Sequence, residues 1–536
     1  MTVSKTRLLK EMLGRVPFTA ELYYLCCNQG EPIKTRFSLK QLKAALPELV
    51  EKGLELRKQA PPGKKIFLFA PLHYWIEHTA LISAALASQG YQVTLGYLPY
   101  SDWTTPINRF DLRRQNAYAK SVLSLAAPLF QSVSFLKKPL ENNSLPQAVL
   151  DSVKEVTGYD SQYTMQVEEV DEESPVYKLR YERNLEAARV GLAWLQKSRP
   201  NLVIVPNGTI LEMGIIYRLA RFMKIPVITY EFGDERQHIW LAQNEEIMRQ
   251  NTDRLWEARR NDPLTEEQME RMRSLISARQ RATLWENFAR LWQGVPTQGG
   301  KKVRQQLGLD DRPIVLLATN VLGDSLTLGR QVFSRNMSEW IARTVQYFAG
   351  RDDVQFIIRV HPGEVLTHGL SMKDVVLDVL PELPEHIHLI GPQDKVNTYD
   401  IVEIADLGLV YSTTVGLEMA MSGKPVIVAG KTHYRGRGFT HDVETWVEYY
   451  KLLGKILADP KKYQLSREEM ERAWKYAYCF FFEFPRPFPW HLVRVWEDYR
   501  ARPLDEVLKN SGKAQFEKTF RLLAGEPINW KELVNE

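Results

Sequence analysis

The sequence predicts an α/β protein with two parallel sheets and helices on both faces of each sheet. In the first half of the chain, helical patterns alternate with short apolar segments at residues 66–70, 92–98, 202–206 and 226–231. The second half repeats the alternation, with apolar segments at residues 314–319, 354–360, 387–390, 407–411 and 426–429. Short apolar strands bounded by turns are typical of sheets that are buried on both faces. Two such series therefore indicate two Rossmann-like domains that face a cleft, with helical additions.

The composition is that of a globular protein with more than one domain. Of the 536 residues, 44% are hydrophobic and 25% are charged, which excludes the disordered and fibrous classes. The 70 basic and 65 acidic residues leave a net charge of +5. Because this excess is scattered and forms no basic stripe, no nucleic-acid partner is predicted.

Cysteine usage and hydropathy indicate the compartment. The chain has three cysteines, Cys26, Cys27 and Cys479, at spacings that suit neither a metal site nor a disulfide framework. This usage is typical of a reducing compartment. No stretch reaches the roughly 18 apolar residues of a membrane span, and no signal peptide is recognised. We therefore expect a cytoplasmic protein, and peripheral contact with the inner face of the membrane stays open.

Changes in the pattern divide the chain into five predicted segments. A helical extension at residues 1–60 precedes the first Rossmann-like domain at residues 61–237. A helical insertion or connector is predicted at residues 238–300, and the second Rossmann-like domain at residues 301–465. The last segment, residues 466–536, is helical and aromatic, and we expect it to cross back to the first domain.

The strongest candidate residues follow two strands of the second domain. One strand ends at Arg359 and His361, and a later one runs into a hydroxyl-rich turn and a helix that contain Ser412, Thr413, Thr414, Gly416 and Glu418. Carboxyl ends of parallel strands meet at one edge of a sheet, where ligands bind. Hydroxyls and free N–H groups at such a turn favour a phosphate, and Glu418 is placed to accept hydrogen bonds from ribose. Capping of the helix by Ser412 and Thr413 is an equal interpretation of the turn.

Further polar residues are expected near the same ligand. Asp324 follows the first strand of the second domain and is a candidate for substrate contact. Lys424, Arg435 and Arg437 supply positive charge that could neutralise a leaving phosphate without a metal ion. No Asp-x-Asp follows any predicted strand, so no metal site is predicted.

The first domain offers three candidates for a general base. His73 comes just after the first strand, and the ordinary pKa of histidine suits proton abstraction at neutral pH. Glu231 and Asp234 follow the strand at residues 226–231, where burial would raise the pKa of a carboxyl group. Asn207 ends the preceding strand and is predicted to contact substrate, although a role in forming the turn is equally compatible with its position.

The second domain resembles a known family. His361-Pro362 followed by Ser412-Thr413-Thr414 is similar to the motifs of bacterial sialyltransferases and capsule Kdo transferases. Residues 412–442 resemble the capsule-polysaccharide biosynthesis family, including a Tyr-x-Gly-x-Gly-x-Thr-x-Asp segment that starts at Tyr434. The spacing of Tyr434 and Arg437 is also similar to that of polyol-phosphate transferases.

The resemblance implies a GT-B-like fold and an inverting, metal-independent glycosyltransferase. The second domain would bind a CMP-, UDP- or GDP-linked sugar as co-substrate, with no other cofactor. His361 and the turn at Ser412 would hold the donor phosphate, and Tyr434 would contact substrate. The partners would be a nucleotide sugar, such as CMP-linked Kdo or a sialic-acid-like sugar, and a glycan or glycolipid acceptor in surface glycan synthesis.

Three alternatives remain on the same fold. They are a polyol-phosphate transferase, a sugar-nucleotide epimerase and a non-catalytic binding protein. The epimerases carry an Asp-Ser-Gly-Gly turn with paired glutamates where this chain has residues 411–418 with a different sequence.

Overall fold

The computed structural model describes residues 5–28, 30–136, 144–288, 293–509 and 511–533. The chain forms two compact units. Unit 1 consists of Met1–Thr164, Asp171–Arg249 and Arg486–Ile528, and unit 2 of Met165–Val170, Gln250–Pro485 and Asn529–Glu536. No described helix is long and apolar enough to cross a bilayer.

The strands of the described residues, in chain order, are β1 Lys65–Pro71, β2 Gln92–Leu98, β3 Gln131–Ser134, β4 Leu202–Pro206, β5 Val227–Glu231, β6 His238–Gln243, β7 Ile314–Ala318, β8 Gln355–Arg359, β9 Ile387–Ile390, β10 Leu407–Val410, β11 Val426–Val428, β12 His441–Asp442 and β13 Arg486–Pro487.

The α-helices of the described residues are α1 Lys5–Arg15, α2 Thr19–Tyr23, α3 Lys40–Arg57, α4 His73–Ser88, α5 Arg109–Leu123, α6 Gln147–Met165, α7 Pro175–Ser198, α8 Leu211–Phe222, α9 Asp253–Arg259, α10 Glu266–Gln280, α11 Gly300–Leu307, α12 Met337–Ala349, α13 Met372–Val379, α14 Thr398–Ile404, α15 Val415–Met421, α16 Trp446–Ala458, α17 Arg467–Tyr478, α18 Val495–Ala501, α19 Leu504–Leu508, α20 Ser511–Leu523 and α21 Trp530–Leu533.

The sheet of unit 1 has the strand order β13-β6-β5-β4-β1-β2-β3. The strands β1 to β5 pair in parallel, whereas β6 pairs antiparallel with β5 and β13 antiparallel with β6. The sheet is buried because β1 is apolar after Lys65 and β4 is apolar along its length, and because α4 is buried at every position from Trp75 to Ser88. A helix that is apolar on all sides lies inside a large core.

The sheet of unit 2 has the order β12-β11-β10-β7-β8-β9, and every pair in it is parallel. The register places Ala318 of β7 beside both Val410 of β10 and Arg359 of β8, so these three strands end at the same level. The core packs on this sheet through fully buried residues that include Trp340 and Phe356. The loops that leave the carboxyl ends of the central strands are therefore neighbours.

The predicted α/β class with two Rossmann-type parallel sheets is confirmed, and each predicted strand is present to within one residue at either end. The structure differs from the sequence prediction at the helical connector of residues 238–300, because this segment begins with the strand β6. Short strands such as β6 and β13 carry little apolar periodicity of their own and are defined by their antiparallel pairing. Residues 486–528 of the predicted crossing segment belong to unit 1.

Candidate functional site

The carboxyl edge of the unit 2 sheet is held together by hydrogen bonds between its exit loops. The backbone N–H of His361 donates to Thr319 Oγ1 at 3.0 Å, which joins the loops after β8 and β7. The backbone N–H of Ser412 donates to Asn320 Oδ1 at 3.2 Å, which joins the loops after β10 and β7. The structure therefore brings His361 and the predicted hydroxyl-rich turn to one site around the end of β7.

The turn itself is built on a buried tyrosine. Tyr434 is fully buried, and its hydroxyl donates to the carbonyl of Thr413 at 2.6 Å. Gly416 passes so close to this phenol that a Cβ at Gly416 would lie 2.4 Å from the Tyr434 oxygen. Tyr434 was predicted to contact substrate, but in the structure it lies beneath the turn and supports it.

The hydroxyls of the turn differ in their surroundings. The Ser412 hydroxyl is buried and has no hydrogen-bond partner among the described residues. Thr413 is buried, and its Oγ1 accepts from Val415 N at 3.5 Å. Thr414 occupies the N-cap position of α15, and its side chain makes no capping hydrogen bond. A buried hydroxyl without a partner costs free energy, so Ser412 is the member of the turn that has most to gain from a polar ligand.

The arginines predicted for phosphate binding instead bond to the protein. Buried Arg359 donates to the carbonyls of Gly391 and Val396, and burial lowers its pKa to about 10. Arg437 donates to the carboxylate of Asp253 at 2.5 Å. These side chains order the loops around the sheet edge, because each cross-links backbone or side-chain groups that are distant in the sequence.

Arg435 behaves in the same way. Its guanidinium donates to the carbonyl of Val428 at 3.0 Å and to the carboxylate of Glu444 at 2.8 Å. Its positive charge is therefore matched by a carboxylate of the same unit.

Glu418 was predicted to accept hydrogen bonds from ribose, but it is buried and paired with Arg279. The guanidinium of Arg279 also lies 4.4 Å from the centre of the Phe481 ring. The pair is buried on both sides, and removal of either partner would leave an uncompensated charge. No local signal in the sequence could have revealed this pairing, since the two residues are 139 positions apart.

Lys424 lies at the other end of the sheet. It precedes β11, so it is at the amino edge of this parallel sheet, where its ammonium donates to the Glu403 carbonyl at 3.0 Å. The interpretation of Lys424 as a neighbour of the donor phosphate was therefore wrong, since the candidate site is at the carboxyl edge.

Asp324 does lie in the loop after β7, where its carboxylate accepts from Leu326 N at 2.9 Å.

In unit 1, the structure brings Asn207 and Glu231 together at the ends of the adjacent strands β4 and β5. The side-chain amide of Asn207 donates to Glu231 Oε2 at 3.1 Å, and Phe232 N donates to Glu231 Oε1 at 3.0 Å. Burial outweighs these hydrogen bonds and raises the pKa of Glu231 to about 7. A carboxyl group that titrates near neutral pH can exchange a proton with a substrate hydroxyl.

Asn207 also forms a turn, which is the second role that the sequence suggests for this residue. It has a positive φ of 57°, and its side-chain oxygen accepts from the N–H groups of Thr209 and Ile210. The residue therefore shapes the loop after β4 with one end of its amide and holds Glu231 with the other.

His73 is the first residue of α4, and the structure places it half-buried beside Phe37 and Tyr74. Its Nδ1 is buried and has no hydrogen-bond partner among the described residues. Burial lowers the pKa of His73 below its ordinary value, so the imidazole is neutral and able to accept a proton at pH 7. Asp234 lies half-buried in the loop after β5.

Sequence reasoning missed a buried ionic cluster in unit 1. Arg180 of α7 donates to Asp160 of α6 at 3.1 Å and to Glu212 of α8 at 2.9 Å, and all three side chains are almost completely buried. Asp160 also accepts from the backbone N–H of Leu211, where α8 begins. The cluster thereby anchors the loop that carries Asn207, because that loop ends at Leu211.

Within the described ranges, no three His, Cys, Asp or Glu side chains are grouped as metal ligands would be. Metal independence stays a prediction.

The geometry of unit 2 can be compared with known proteins. Residues 289–481 match the family described as capsule polysaccharide biosynthesis protein. The matched segment contains His361, the turn at Ser412 and Tyr434, so the predicted family resemblance is confirmed for this part of the chain. No curated protein matches the chain.

Solved structures also match, at low similarity. The KpsC β-Kdo 2,4-transferase of Thermosulfurimonas dismutans is 16% identical, with a TM-score of 0.34 over 54% of this chain and 82% of that chain. The UDP-GlcNAc 2-epimerase of Neisseria meningitidis is 14% identical, with a TM-score of 0.25 over 77% of this chain and 98% of that chain.

Proposed function

We propose that the chain is an inverting, metal-independent glycosyltransferase that uses a nucleotide-linked sugar and needs no other cofactor. The acceptor would be a polysaccharide or glycolipid of surface glycan synthesis, and the donor a CMP-linked sugar such as Kdo or a sialic-acid-like sugar. The observation that carries the proposal is the site around the end of β7, which lies in the segment that matches the capsule polysaccharide biosynthesis family.

Unit 2 would bind the donor. The Ser412 hydroxyl is buried without a partner, and the site also offers His361, whose N–H is held by Thr319. Hydroxyl and imidazole groups fixed before the reaction stabilise a leaving phosphate without reorganisation. Arg359, Arg435 and Arg437 bond within the unit and would contribute by ordering the loops of the unit.

Unit 1 would supply the general base. Glu231, ionised, takes the proton of the acceptor hydroxyl as the acceptor oxygen forms its bond to the anomeric carbon. The bond between that carbon and the donor phosphate oxygen breaks, the configuration inverts, and the nucleotide leaves with the electron pair. The pKa of about 7 favours Glu231, while Asp234 and the neutral imidazole of His73 are the other candidates.

The first experiment is thermal melting of the purified protein with CMP, CDP, UDP or GDP. A ligand at about 100 times its dissociation constant adds about 2.7 kcal/mol of stability, so a bound nucleotide should raise the Tm. We expect a rise with CMP that is lost in His361→Ala. The matched control is His388→Ala, a histidine in the middle of β9 that bonds to Gln355, and it should keep the rise.

The outcomes separate the alternatives. A rise with UDP or GDP alone would keep a nucleotide-sugar enzyme but remove the CMP donor. No rise with any nucleotide would contradict the proposal and favour a binding protein without donor chemistry.

The base is tested with the identified donor and acceptor. We expect Glu231→Gln to lower kcat by about 10²–10⁴-fold, with the wild-type rate increasing as the pH rises through about 7. If Asp234→Asn or His73→Gln causes this loss and Glu231→Gln does not, the assignment of Glu231 is wrong.

A further inference from the structure

The first helices of unit 1 expose a concentration of large apolar side chains. The segment, called here the N-terminal helical segment, comprises α1, α2 and the turn Tyr24–Asn28. Its apolar side chains are between 46% and 72% exposed, and they are Leu8, Leu9, Met12, Val16, Phe18, Leu22, Tyr23 and Leu25. Isolated exposed apolar residues are normal, but a contiguous group of this kind marks an interaction surface.

Several polar groups of the segment bond to the body of unit 1. Lys10 forms an ion pair with Asp111 of α5 at 2.7 Å. Arg113 of α5 donates to Glu21 Oε1 at 3.0 Å and to the carbonyl of Gly14 at 3.1 Å. The contact at Gly14 is so close that a Cβ there would lie 2.8 Å from the backbone nitrogen of Phe110.

This arrangement differs from that of an ordinary surface helix, which packs its apolar stripe on the core and leaves its polar side in water. The segment docks through ion pairs, hydrogen bonds and the buried Ala20 and Tyr24, and it leaves a set of large apolar side chains outside. Those bonds fix the outward direction of the apolar side chains, so the exposure is a built feature of the fold. Exposure of these apolar side chains to water costs free energy, and contact with a less polar environment would remove that cost.

The charges beside the patch are mainly positive. Residues 5–36 contain six basic and three acidic residues. Arg15, Lys34 and Arg36 are exposed. Of the acidic residues, Glu21 is half-buried and bonded to Arg113, and exposed Glu31 is paired with Lys40 and Lys43. An apolar helical surface bordered by cations suits the interface of a bilayer with anionic lipids. A symmetric contact with a second copy would instead bring these cations together.

We propose that the N-terminal helical segment docks on an anionic lipid bilayer, with its exposed apolar side chains inserted at the level of the headgroups. The segment lies in the plane of the interface and does not cross the membrane, since its helices are short. This inference does not depend on the transferase chemistry, although a glycolipid acceptor would lie at the same surface.

The test is co-sedimentation of the full chain with vesicles. We expect binding to vesicles of phosphatidylcholine and phosphatidylglycerol, weaker binding to phosphatidylcholine alone, and weakening by salt. The double variant Leu9→Glu with Phe18→Glu should lose at least about tenfold in affinity, because it places charge on two inserted positions. The matched control is Val447→Glu, which changes a 77% exposed valine of unit 2 and should bind as the wild type does.

Three outcomes would overturn the inference. The first is failure of the wild type to bind either vesicle, and the second is equal binding by the double variant. The third is a wild-type dimer in analytical ultracentrifugation that dissociates in the double variant, which would assign the surface to a second copy. The rise in Tm with nucleotide should be the same in wild type and double variant, so failure here is distinguishable from failure of the donor proposal.

Discussion

The carboxyl edges of the two sheets use polar residues in different ways. In unit 1, the edge carries groups whose pKa values are displaced by burial, raised in Glu231 and lowered in His73. In unit 2, the charged side chains near the edge are bonded within the unit, as Arg437 is to Asp253. What remains at that edge is a set of oriented neutral groups, including the Ser412 hydroxyl.

The difference teaches that residue type at a strand end does not by itself identify a ligand-binding side chain. Arginine was predicted to meet the phosphate because it has the right charge, yet Arg359 is bonded to two backbone carbonyls. A buried guanidinium has five N–H donors to satisfy. Loop carbonyls accept from two nitrogens of Arg359, while its buried Nε has no partner among the described residues. The first edge carries side chains whose pKa values are shifted by burial, whereas the second carries side chains that are held in place by hydrogen bonds.

The largest expected effect concerns the titration of Glu231 at the edge of the unit 1 sheet. Between its ordinary pKa of 4.5 and a folded value of about 7, Glu231 holds a proton in the folded state that the unfolded chain releases. Its ionisation therefore destabilises the fold as the pH rises through this window, by up to about 3 kcal/mol. We expect Glu231→Gln to match wild type near pH 4 and to be more stable at pH 8, in urea unfolding at both pH values. Equal pH dependence of the two proteins would contradict this.

The next effect concerns the packing of the turn at the edge of the unit 2 sheet. In Gly416→Ala, the new Cβ would lie 2.4 Å from the Tyr434 hydroxyl oxygen and 2.9 Å from Val410. We expect a loss of about 1–3 kcal/mol in the free energy of unfolding, because the core cannot accept extra volume without strain. The control is Gly454→Ala in α16, where a Cβ would meet nothing within 4 Å and should not destabilise. Equal stability of Gly416→Ala and wild type would show that the turn is not tightly packed.

A smaller effect is expected for Tyr434→Phe. The variant loses the hydrogen bond to the Thr413 carbonyl, and a bond of this kind makes a net contribution of about 1 kcal/mol to the free energy of unfolding. The Thr413 carbonyl keeps its hydrogen bond from Gly416 N. Nucleotide affinity in titration calorimetry should also fall, because the turn is less firmly held. Tyr463→Phe is the control, since the Tyr463 hydroxyl has no hydrogen bond in the described part of unit 2. Unchanged affinity would limit Tyr434 to a stabilising role.

The smallest effect is expected for Lys424→Met, which separates the two edges of the unit 2 sheet. Because Lys424 is at the amino edge, nucleotide binding should change by less than about 0.5 kcal/mol in the same titration. A large loss of affinity would mean that the ligand does not bind at the carboxyl edge.

The sheets were predictable because their strands are short apolar runs between turn residues. This signal holds for β4 and β9, which begin and end where the sequence predicts. It fails for β6, whose apolar residues form a run of only four between His238 and Gln243 and fit a helix as well as a strand. The pairing of β6 with β13 joins residues that are nearly 250 positions apart, as Ile239 and Arg486 show, and periodicity carries no information about such contacts.

The candidate site was predictable as a location but not as a set of contacts. Parallel topology brings His361 and Ser412 to one edge, and the structure joins both to the loop after β7. The bonds of Glu418 to Arg279 and of Asp160 to Arg180 depend on burial and on long-range packing. Asn320 could have been found by the same topological rule, since it follows β7 directly.

The division of unit 1 along the chain has a consequence for biosynthesis. On the ribosome, residues 250–485 of unit 2 are made before the segment Arg486–Ile528 that completes unit 1. Until that segment arrives, β6 lacks its partner β13, and buried His78 lacks the carbonyl of Trp490, to which it is hydrogen-bonded at 3.0 Å. Unit 1 therefore begins to form first but stays incomplete while most of unit 2 is translated, and its open sheet edge needs protection during that time.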